Sequence, residues 1–336
     1  MNILFCSAGR RVQLLKDFRQ SMSDGSRIVA TDMSPLAPAI YSADRFYLVP
    51  PITSEDYIPT ILNICRMEKI QGVTTLIDPE IELLARHRAQ FAEIGVTVLL
   101  PDADTAALCF DKWKMYQFLT GAGIRTPKTY DTAEHTIAAI RRGEVSYPLF
   151  VKPRTGSGSV GARRVNGQSE LEEAFASDPT VIAQQFMQGF DLDADVYVDA
   201  ISGKTVSFFS KQKLEMKIGG ASKTVSFRDP ALRTFVEKIV SRLKFHGPID
   251  MDFFCVDGKY YLNEINPRFG GAYLHAYACG VDFVPLIENN LLGIANVPSF
   301  FDYEEGVTMM MYDAIVTQKL EPEGEVLAWK KELMTK

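Results

Sequence analysis

The chain has 336 residues, which is enough for two or three domains with large cores. Its hydrophobic fraction of 46% and charged fraction of 23% are those of an ordinary soluble globular protein. The net charge of −6, with neither half strongly basic, argues against a nucleic-acid-binding surface, and no apolar run predicts a membrane span.

The cysteines and histidines point to a reducing compartment. Five cysteines are scattered along the chain without a C-x-x-C pair, an odd number that argues against a disulfide framework. The four histidines are isolated and form no zinc motif. The opening MNILFC is too short for the apolar region of a signal peptide, so we expect a cytoplasmic protein.

The first hundred residues alternate short apolar runs with amphipathic segments. The runs NILFC, RIVATD, FYLVP, GVTTLID and VTVLLP are predicted strands, and RRVQLLKDFRQSM and PEIELLARHRAQFAEIG are predicted helices. This alternation predicts an α/β domain with a doubly wound parallel sheet. The first turn, CSAGRR, lacks the G-x-G-x-x-G pattern, which argues against a nicotinamide-dependent oxidoreductase.

A glycine-rich loop follows the helix DKWKMYQFLTGAG. In PLFVKPRTGSGSVGARRV the loop joins two predicted strands, and a Walker motif leading into a helix is absent. Glycines can expose backbone N–H groups to an anion, and Lys152 and Arg163 flank the loop. The loop is therefore either a phosphate-binding element or a mobile hairpin turn.

A second constellation is the predicted hairpin DMDFFCVDGKYYLNEINPR. Its polar residues share one face only if the numbers of paired residues sum to an even value, as in a three-residue loop with a bulge. A strict two-residue turn at Asp257-Gly258 would separate Asp252 from Glu264. Clustered oxygen ligands suit Mg²⁺, and the alternative is a solvated polar face. The residues concerned are Asp250, Asp252, Glu264 and Asn266.

The rest of the last third is predicted to be largely antiparallel. The segment SKQKLEMKIGGASKTVSF is interpreted as a loop that contacts substrate or nucleotide, or alternatively as a solvated edge strand. His275 and Tyr273 are candidates for an acceptor pocket, with a structural role as the alternative. TMMMYDAIV is predicted to be a core strand. The lysines assigned to the substrate-side segment are Lys211, Lys213, Lys217 and Lys223.

The order of these features resembles the ATP-grasp superfamily over approximately residues 110 to 290. The group similar to the carbamoyl phosphate synthetase large subunit is the nearest likeness, and biotin carboxylase and D-alanine–D-alanine ligase are more distant. The features are an acid–lysine pair, a lysine before a glycine loop, a linker strand and the motif EINPR. The resemblance implies a pre-ATP-grasp α/β domain (1–108), a lid subdomain (109–187) and a C-terminal α+β subdomain (188–336).

The resemblance also implies roles for individual residues. Lys112 and Lys152 correspond to lysines that contact the nucleotide phosphates, and Arg268 to the arginine that meets the transferred phosphoryl group. Asp252, Glu264 and Asn266 correspond to the Mg²⁺ (or Mn²⁺) ligands. The remaining ATP-binding assignments are Gly156, Ser157, Gly158 and Ser159 in the lid, Gln184, Gln185 and Met187 at the adenine, and Asp191, with Asp193 as the fallback, at the ribose.

The implied reaction is an ATP-dependent ligation. A carboxylate attacks the γ-phosphate to give an acyl phosphate, and an amine or another nucleophile displaces phosphate. The alternatives are a carboxylate or carbamate phosphotransferase of the same fold and a nucleotide-binding module without turnover. The expected partners are small-molecule substrates, and a homodimer is one expected assembly because related ligases often dimerise. The chain lacks the duplicated half of a full carbamoyl phosphate synthetase.

Overall fold

Three β-sheets follow one another along the chain. The computed structural model describes residues 1–156, 160–217 and 220–319. Within these residues the strands of the first sheet lie before residue 108, those of the second between 109 and 187, and those of the third after 188. The predicted domain boundaries therefore fall between sheets, and they stay predictions.

The first sheet is parallel. Its strands are β1 (Asn2–Cys6), β2 (Arg27–Asp32), β3 (Arg45–Leu48), β4 (Gly72–Thr75) and β5 (Thr97–Val98). In the order β3-β2-β1-β4-β5, the chain first adds strands on one side of β1 and then returns to add β4 and β5 on its other side. The parallel neighbours β1 and β4 therefore form the switch point of the sheet. Such a switch point leaves a crevice at the carboxyl ends of the two strands.

Helices cover this sheet, and two of them differ from the prediction. The predicted helix over 79–95 is two helices, because the backbone of His87 leaves the helical region. A further helix over residues 57–68 was not predicted. The helices are α1 (Val12–Ser21), α2 (Tyr57–Glu68), α3 (Asp78–Arg86) and α4 (Arg88–Glu93), with a 3-10 helix at Pro38–Ser42.

Two helices, α5 (Ala103–Phe110) and α6 (Lys112–Gly121), lead to an antiparallel sheet of order β6-β9-β7-β8. Alternate residues of its central strands pack in an apolar core under α7 (Ala133–Arg141) and α8 (Gln168–Ser177). The opposite face carries Lys152 and Gln184. The strands are β6 (Thr129–Tyr130), β7 (Leu149–Pro153), β8 (Arg163–Val165) and β9 (Val181–Gln185).

The third sheet has six antiparallel strands in the order β14-β13-β10-β11-β12-β15. One face packs on α9 (Pro230–Val240) in an apolar core, and α10 (Tyr273–Ala278) and α11 (Val284–Leu291) follow the last long strand. The strands are β10 (Phe190–Val198), β11 (Thr205–Lys217), β12 (Gly220–Phe227), β13 (Gly247–Val256), β14 (Lys259–Asn266) and β15 (Thr308–Met310).

Two predictions for this region are corrected. The lysine-rich substrate-side segment forms most of β11 and β12, so its described residues are strand rather than loop. The predicted core strand around residue 310 is only the three-residue edge strand β15, in which Met310 is 64% exposed. Within the described ranges, no helix has the length and apolarity needed to cross a bilayer.

Candidate active site

The β13–β14 hairpin gathers the predicted metal ligands on one face through a β-bulge. The turn Asp257–Gly258 has two residues, both with positive φ (49° and 69°). This turn alone would separate Asp252 from Glu264. Asn263, however, is an extra residue in β14 that shifts the register, so that Asp252 lies directly opposite Glu264.

The two predicted phosphate-binding lysines face this hairpin. Lys112 is the first residue of α6, and its Nζ lies 3.3 Å from Oε1 of Glu264 and donates to the carbonyl oxygen of Gly156 at 2.6 Å. Lys152 projects from β7, and its Nζ donates to Oδ1 of Asn263 at 3.2 Å. The sheet that bears the glycine loop and the hairpin that bears the acids therefore meet in one cleft.

Lys152 is buried at the bottom of this contact, at 7% exposure. Burial lowers the pKa of Lys152 to about 8, with the charge of Glu264 opposing this effect and that of Lys112 adding to it. A buried lysine with one neutral hydrogen-bond partner favours the arrival of a negatively charged group.

The base of the glycine loop is tied to the start of α6. Asp111 caps this helix by accepting from the backbone N–H groups of Trp113 and Lys114. It also accepts from Arg154 Nε and Nη2, both at 2.7 Å. Although burial acts in the opposite direction, the hydrogen bonds from Arg154 lower the pKa of Asp111. The site residue Arg154 was missed by sequence analysis, although it stands directly before the glycine loop.

Lys213 bridges two of the predicted site acids. Its ammonium contacts Asp252 and lies 3.1 Å from Oδ1 of Asp191. Burial opposes protonation of Lys213, but the charges of Asp252 and Asp191 raise its pKa. Asp191 keeps 39% of its side chain exposed at the cleft edge, and burial raises its pKa. The predicted ribose acid is thus accessible, and its role stays a prediction.

A second charged cluster lies deeper on the same face of the sheet. One carboxylate oxygen from each of Asp193, Asp195 and Asp250 lies within 4.8 Å of the others, and Lys211 pairs with the first two. All four side chains are buried. Burial raises the pKa of Asp193 and of Asp195 to about 6 each, while Lys211 opposes this shift.

These contacts correct two assignments. Lys211 is fully buried against acids of its own sheet, so it neutralises the carboxylates of Asp193 and Asp195 instead of contacting substrate. Asp193 is 4% exposed and bound to that lysine, which removes it as the fallback ribose acid. Asp250 accepts from Nδ2 of Asn266 at 3.2 Å, which orients the amide of the third predicted metal ligand.

Arg268 reaches the first domain. Its Nε donates to Oδ1 of Asp78 at 2.7 Å and its Nη2 to Oδ2 at 3.1 Å, a bidentate pair that is almost buried. Burial alone would lower the pKa of Arg268, but Asp78 raises it. Asp78 begins α3 directly after β4, at the switch point of the parallel sheet. Sequence analysis did not assign a role to Asp78.

The predicted adenine-binding residues lie at the end of β9. The amide nitrogen of Gln184 donates to Oγ1 of Thr129 at 3.2 Å, which leaves its carbonyl oxygen as the group for a base amino proton. The backbone N–H of Gln185 donates to the carbonyl of Lys128, and Met187 is half-buried. These three assignments stay predictions, and the lid residues Ser157, Gly158 and Ser159 lie outside the described residues.

Three further residues proposed for the substrate side have surroundings of their own. His275 is 1% exposed, and its Nδ1 shares a 2.7 Å hydrogen bond with Thr224 Oγ1. Burial lowers the pKa of His275 to about 4, so the ring is neutral and structural. Tyr273 belongs to an apolar core, and Lys217 is exposed at the end of β11 beside Asp313.

The donor set fits a hard divalent cation. Asp252, Glu264 and Asn266 offer carboxylate and amide oxygens from adjacent strands, which are the ligands that Mg²⁺ prefers. Two carboxylates directly opposite in a sheet repel unless a cation lies near them. Lys112 and Lys213 supply part of that positive charge in this structure.

The fold and the cleft define a class of α/β proteins that bind a nucleotide phosphate between a glycine-loop sheet and an acidic hairpin. Residues 109–272 match the family model "ATP-grasp domain", and residues 3–99 match "PylC-like, N-terminal domain". The chain therefore carries an ATP-grasp domain over residues 109–272, preceded by a PylC-like N-terminal domain. The predicted fold class and family resemblance are confirmed.

Individual relatives are similar over parts of their length. The arginine-specific large chain of carbamoyl phosphate synthase from Bacillus subtilis is 22% identical over 75% of this chain and 25% of its own length. D-alanine–D-alanine ligase from Nitratiruptor sp. is 31% identical over 44% of this chain and 47% of its own. The chain thus spans a quarter to a half of these two relatives.

A solved structure shows the same fold. The biotin carboxylase domain of 2-oxoglutarate carboxylase from Hydrogenobacter thermophilus, in complex with MgADP, ADP and bicarbonate, superposes with a TM-score of 0.72. It is 17% identical, and the match covers 91% of this chain and 73% of that chain.

Proposed function

We propose that the protein is an ATP-dependent ligase that activates a carboxylate as an acyl phosphate and couples it to an amine. The observation that carries this proposal is that both lysines contact one hairpin: Lys112 Nζ lies 3.3 Å from Oε1 of Glu264, and Lys152 Nζ lies 3.2 Å from the amide Oδ1 of Asn263. Cations on one wall and metal-binding oxygens on the other are what a triphosphate requires.

The chain's own groups account for positioning and charge. Lys112 and Lys152 neutralise the phosphate oxygens, and Arg268 stands beyond Asn266 to meet the phosphoryl group as it moves to the carboxylate. Asp252, Glu264 and Asn266 would hold Mg²⁺, which would neutralise part of the negative charge on the phosphates. An acyl phosphate hydrolyses when water reaches it, so the proposed reaction requires that water be excluded from the cleft.

The relatives support this reaction class. One relative is by its name a D-alanine–D-alanine ligase, and the biotin carboxylase domain was solved with MgADP and bicarbonate. The MgADP in that complex supports ATP and Mg²⁺ as the cofactors of this chain. The carboxylate and the amine are small molecules under this proposal.

The test is phosphate release from MgATP with a panel of carboxylates and amino acids, supplied singly and in pairs. A ligase releases phosphate only when a carboxylate and an amine are both present. Phosphate or ADP release with a carboxylate alone would indicate the phosphotransferase instead. Nucleotide binding without release under any condition would favour a binding module.

Glu264→Gln tests the metal site within the same assay. We expect turnover to fall by more than about 100-fold, because changing a ligand costs more than the roughly 10- to 100-fold loss from an outer-sphere partner. The melting temperature should stay within a few degrees of wild type. Glu215→Gln is the matched control, since Glu215 is 51% exposed on β11 and pairs with the exposed Lys223. Wild-type turnover in Glu264→Gln would contradict the metal assignment.

A further inference from the structure

A cavity of ≈ 250 Å³ lies beside β6, the edge strand of the second sheet. Its walls come from α6, from β6 and the residue that follows it, and from α7. The side chains that decide its chemistry are three aromatic rings and three polar groups, namely Trp113, Tyr116, Tyr130, Asp131, His135 and Arg142.

The three rings are half-buried, so a ligand in the cavity can reach them. Trp113 and Tyr116 lie one turn apart on α6 and stack on each other, with ring centroids 5.4 Å apart and planes at 21°. Tyr130 adds a third ring from β6. Burial raises the pKa of Tyr130, and the neighbouring groups of Glu144 and Tyr116 act in the same direction. The faces of aromatic rings carry partial negative charge and attract organic cations.

Asp131 gives the cavity a negative charge. It keeps 30% of its side chain exposed, and its Oδ1 lies 2.8 Å from Nδ1 of His135. The hydrogen bonds to Asp111 raise the pKa of Arg154, and the charge of Asp131 adds to that effect, but Asp111 already binds this guanidinium in bidentate fashion. Among the described residues, no lysine or arginine forms an ion pair with Asp131 within 4.0 Å.

Arg142 does not cancel this charge. Its guanidinium donates to Glu144, and the two side chains are 58% and 41% exposed. An exposed guanidinium that is already paired with a carboxylate and surrounded by solvent contributes little to the field inside the cavity. The rings and the carboxylate of Asp131 therefore favour a positively charged ligand.

The volume limits this ligand to a small molecule. One water molecule takes about 30 Å³ in the liquid, so the cavity corresponds to about eight waters. An alkylated ammonium ion of that size places its methyl groups against aromatic rings and its charge near a carboxylate, as in the aromatic cages that recognise such cations. A neutral ligand would leave the carboxylate without a partner, and an anion would be repelled by it.

We propose that this cavity binds a small organic cation of the alkylated ammonium class, held by the rings of Trp113, Tyr116 and Tyr130 and by the carboxylate of Asp131. This site goes beyond the proposed function and does not depend on it.

The cation site adjoins the nucleotide cleft but is not part of it. Trp113 follows Lys112 in α6, and Oγ1 of Thr129, another residue of the lining, accepts from the amide of Gln184. In the part of the chain that the structure describes, none of the residues assigned to phosphate, metal or adenine lines the cavity. We therefore expect the cation and MgADP to bind at the same time.

The test compares choline with its uncharged isostere 3,3-dimethylbutan-1-ol, at constant ionic strength set with sodium chloride. Saturation transfer to the methyl protons of the ligand measures binding to every variant, and the indole N–H resonance of Trp113 follows it in wild type. The chain has two tryptophans, and Trp113→Leu identifies the resonance that belongs to the cavity. We expect choline to bind at least about tenfold more tightly than the isostere, with or without MgADP.

Three variants assign the binding to the cavity. Asp131→Asn keeps the shape of the side chain but removes its charge, and Trp113→Leu keeps an apolar side chain but removes the ring. We expect each to weaken choline binding at least about fivefold. Glu134→Gln is the matched control, because Glu134 is an exposed carboxylate on the same helix α7 and does not line the cavity. Its affinity for choline should stay within twofold of wild type.

Asp131→Asn decides the question if Trp113→Leu does not fold. Equal affinity for choline and the isostere, or an equal loss in Asp131→Asn and Glu134→Gln, would overturn the proposal. The same holds if the Trp113 resonance does not shift with choline up to about 50 mM, or if MgADP displaces choline. A wild-type protein that does not bind MgADP contradicts the proposed ligase and leaves the comparison of the two ligands intact.

Discussion

Lys152 shows how one residue links burial to nucleotide binding. Its ammonium is buried with an amide oxygen as its hydrogen-bond partner, and its pKa falls to about 8. A lysine in the unfolded chain has a pKa near 10.4. The folded protein without nucleotide therefore binds fewer protons than the unfolded chain between about pH 8 and pH 10.4. The contribution of Lys152 to stability accordingly rises with pH across that window.

Nucleotide binding should show the opposite dependence on pH. Phosphate oxygens favour the charged lysine, so binding of MgATP above pH 8 takes up a proton, and affinity falls by up to about tenfold per pH unit. Calorimetry at pH 7, 8 and 9 measures this slope. We expect Lys152→Met to bind about 10- to 100-fold more weakly at pH 7, since a charge-assisted hydrogen bond contributes about 1.5–3 kcal/mol.

The control for this prediction is Lys152→Arg, whose charge does not titrate in the range. The affinity of this variant for MgATP should not change with pH through the titration of residue 152. A Lys152→Met variant with wild-type affinity would show that Lys152 does not contact the phosphates. A wild-type affinity that is flat from pH 7 to 9 would show instead that the pKa of Lys152 is not lowered into this range.

For single residues, the sequence predicts which side chains belong to the site better than it predicts which side chains they contact. Lys112, Lys152 and Glu264 were expected in one site and are brought together. The pairs Asp78–Arg268 and Arg11–Gly270 were not predicted, because 190 and 259 positions separate the partners and no local pattern records such contacts. Lys211 was misplaced because alternating lysines look the same on an exposed strand and on a buried polar face.

At the scale of elements, the hairpin β13–β14 depends on where its turn and its bulge lie. The sequence shows the turn, because Asp-Gly favours the positive φ values observed. The sequence does not show whether Asp252 pairs with Asn263 or with Glu264. The extra residue Asn263 in β14 places Asp252 opposite Glu264. That residue also supplies the oxygen to which Lys152 donates, so the bulge aligns the acids and contacts the lysine at once.

Gly189 directly precedes β10, the strand that carries the predicted ribose acid Asp191, and it packs against this hairpin. A Cβ at this position would lie 2.2 Å from the carbonyl oxygen of Cys255, a backbone atom that cannot turn away. We expect Gly189→Ala to destabilise the protein by about 1–3 kcal/mol, the usual cost of overpacking, as measured by urea unfolding.

Gly121→Ala is the matched control, because a Cβ there meets nothing within 4 Å and the position is helical. We expect it to be neutral or to stabilise the protein by up to about 1 kcal/mol. Equal midpoints for the two variants would show that the hairpin moves to accept the methyl group.

For the molecule as a whole, the first and third sheets are joined by one apolar core. Phe5 and Phe18 of the first domain pack with Phe269 and Tyr273, which follow the hairpin β13–β14. The ring of Phe269 meets that of Phe18 edge-on at 5.4 Å between centroids. The crevice that holds Arg11 and Asp78 is therefore set by the same contacts that hold the domains together.

The succession of one parallel and two largely antiparallel regions could be predicted, because hydrophobic periodicity and turn residues report local structure. The joint core could not, since Phe18 and Phe269 are apolar residues in two distant segments and neither segment indicates its partner. The helix over 57–68 and the break at His87 were missed for a related reason, because tertiary packing decides such local choices.

Phe269→Ala tests whether this core makes the two domains one cooperative unit. Phe269 is 1% exposed, and truncating a buried phenylalanine costs about 3–5 kcal/mol. We expect urea unfolding of the variant to keep one transition at a lower midpoint, and amide exchange to accelerate by the same factor in β1 and in β13. Phe190→Ala is the control, since Phe190 is 60% exposed, and it should shift stability by no more than about 0.5 kcal/mol. Faster exchange in β13 with unchanged exchange in β1 would mean that the first domain is stable without the contact.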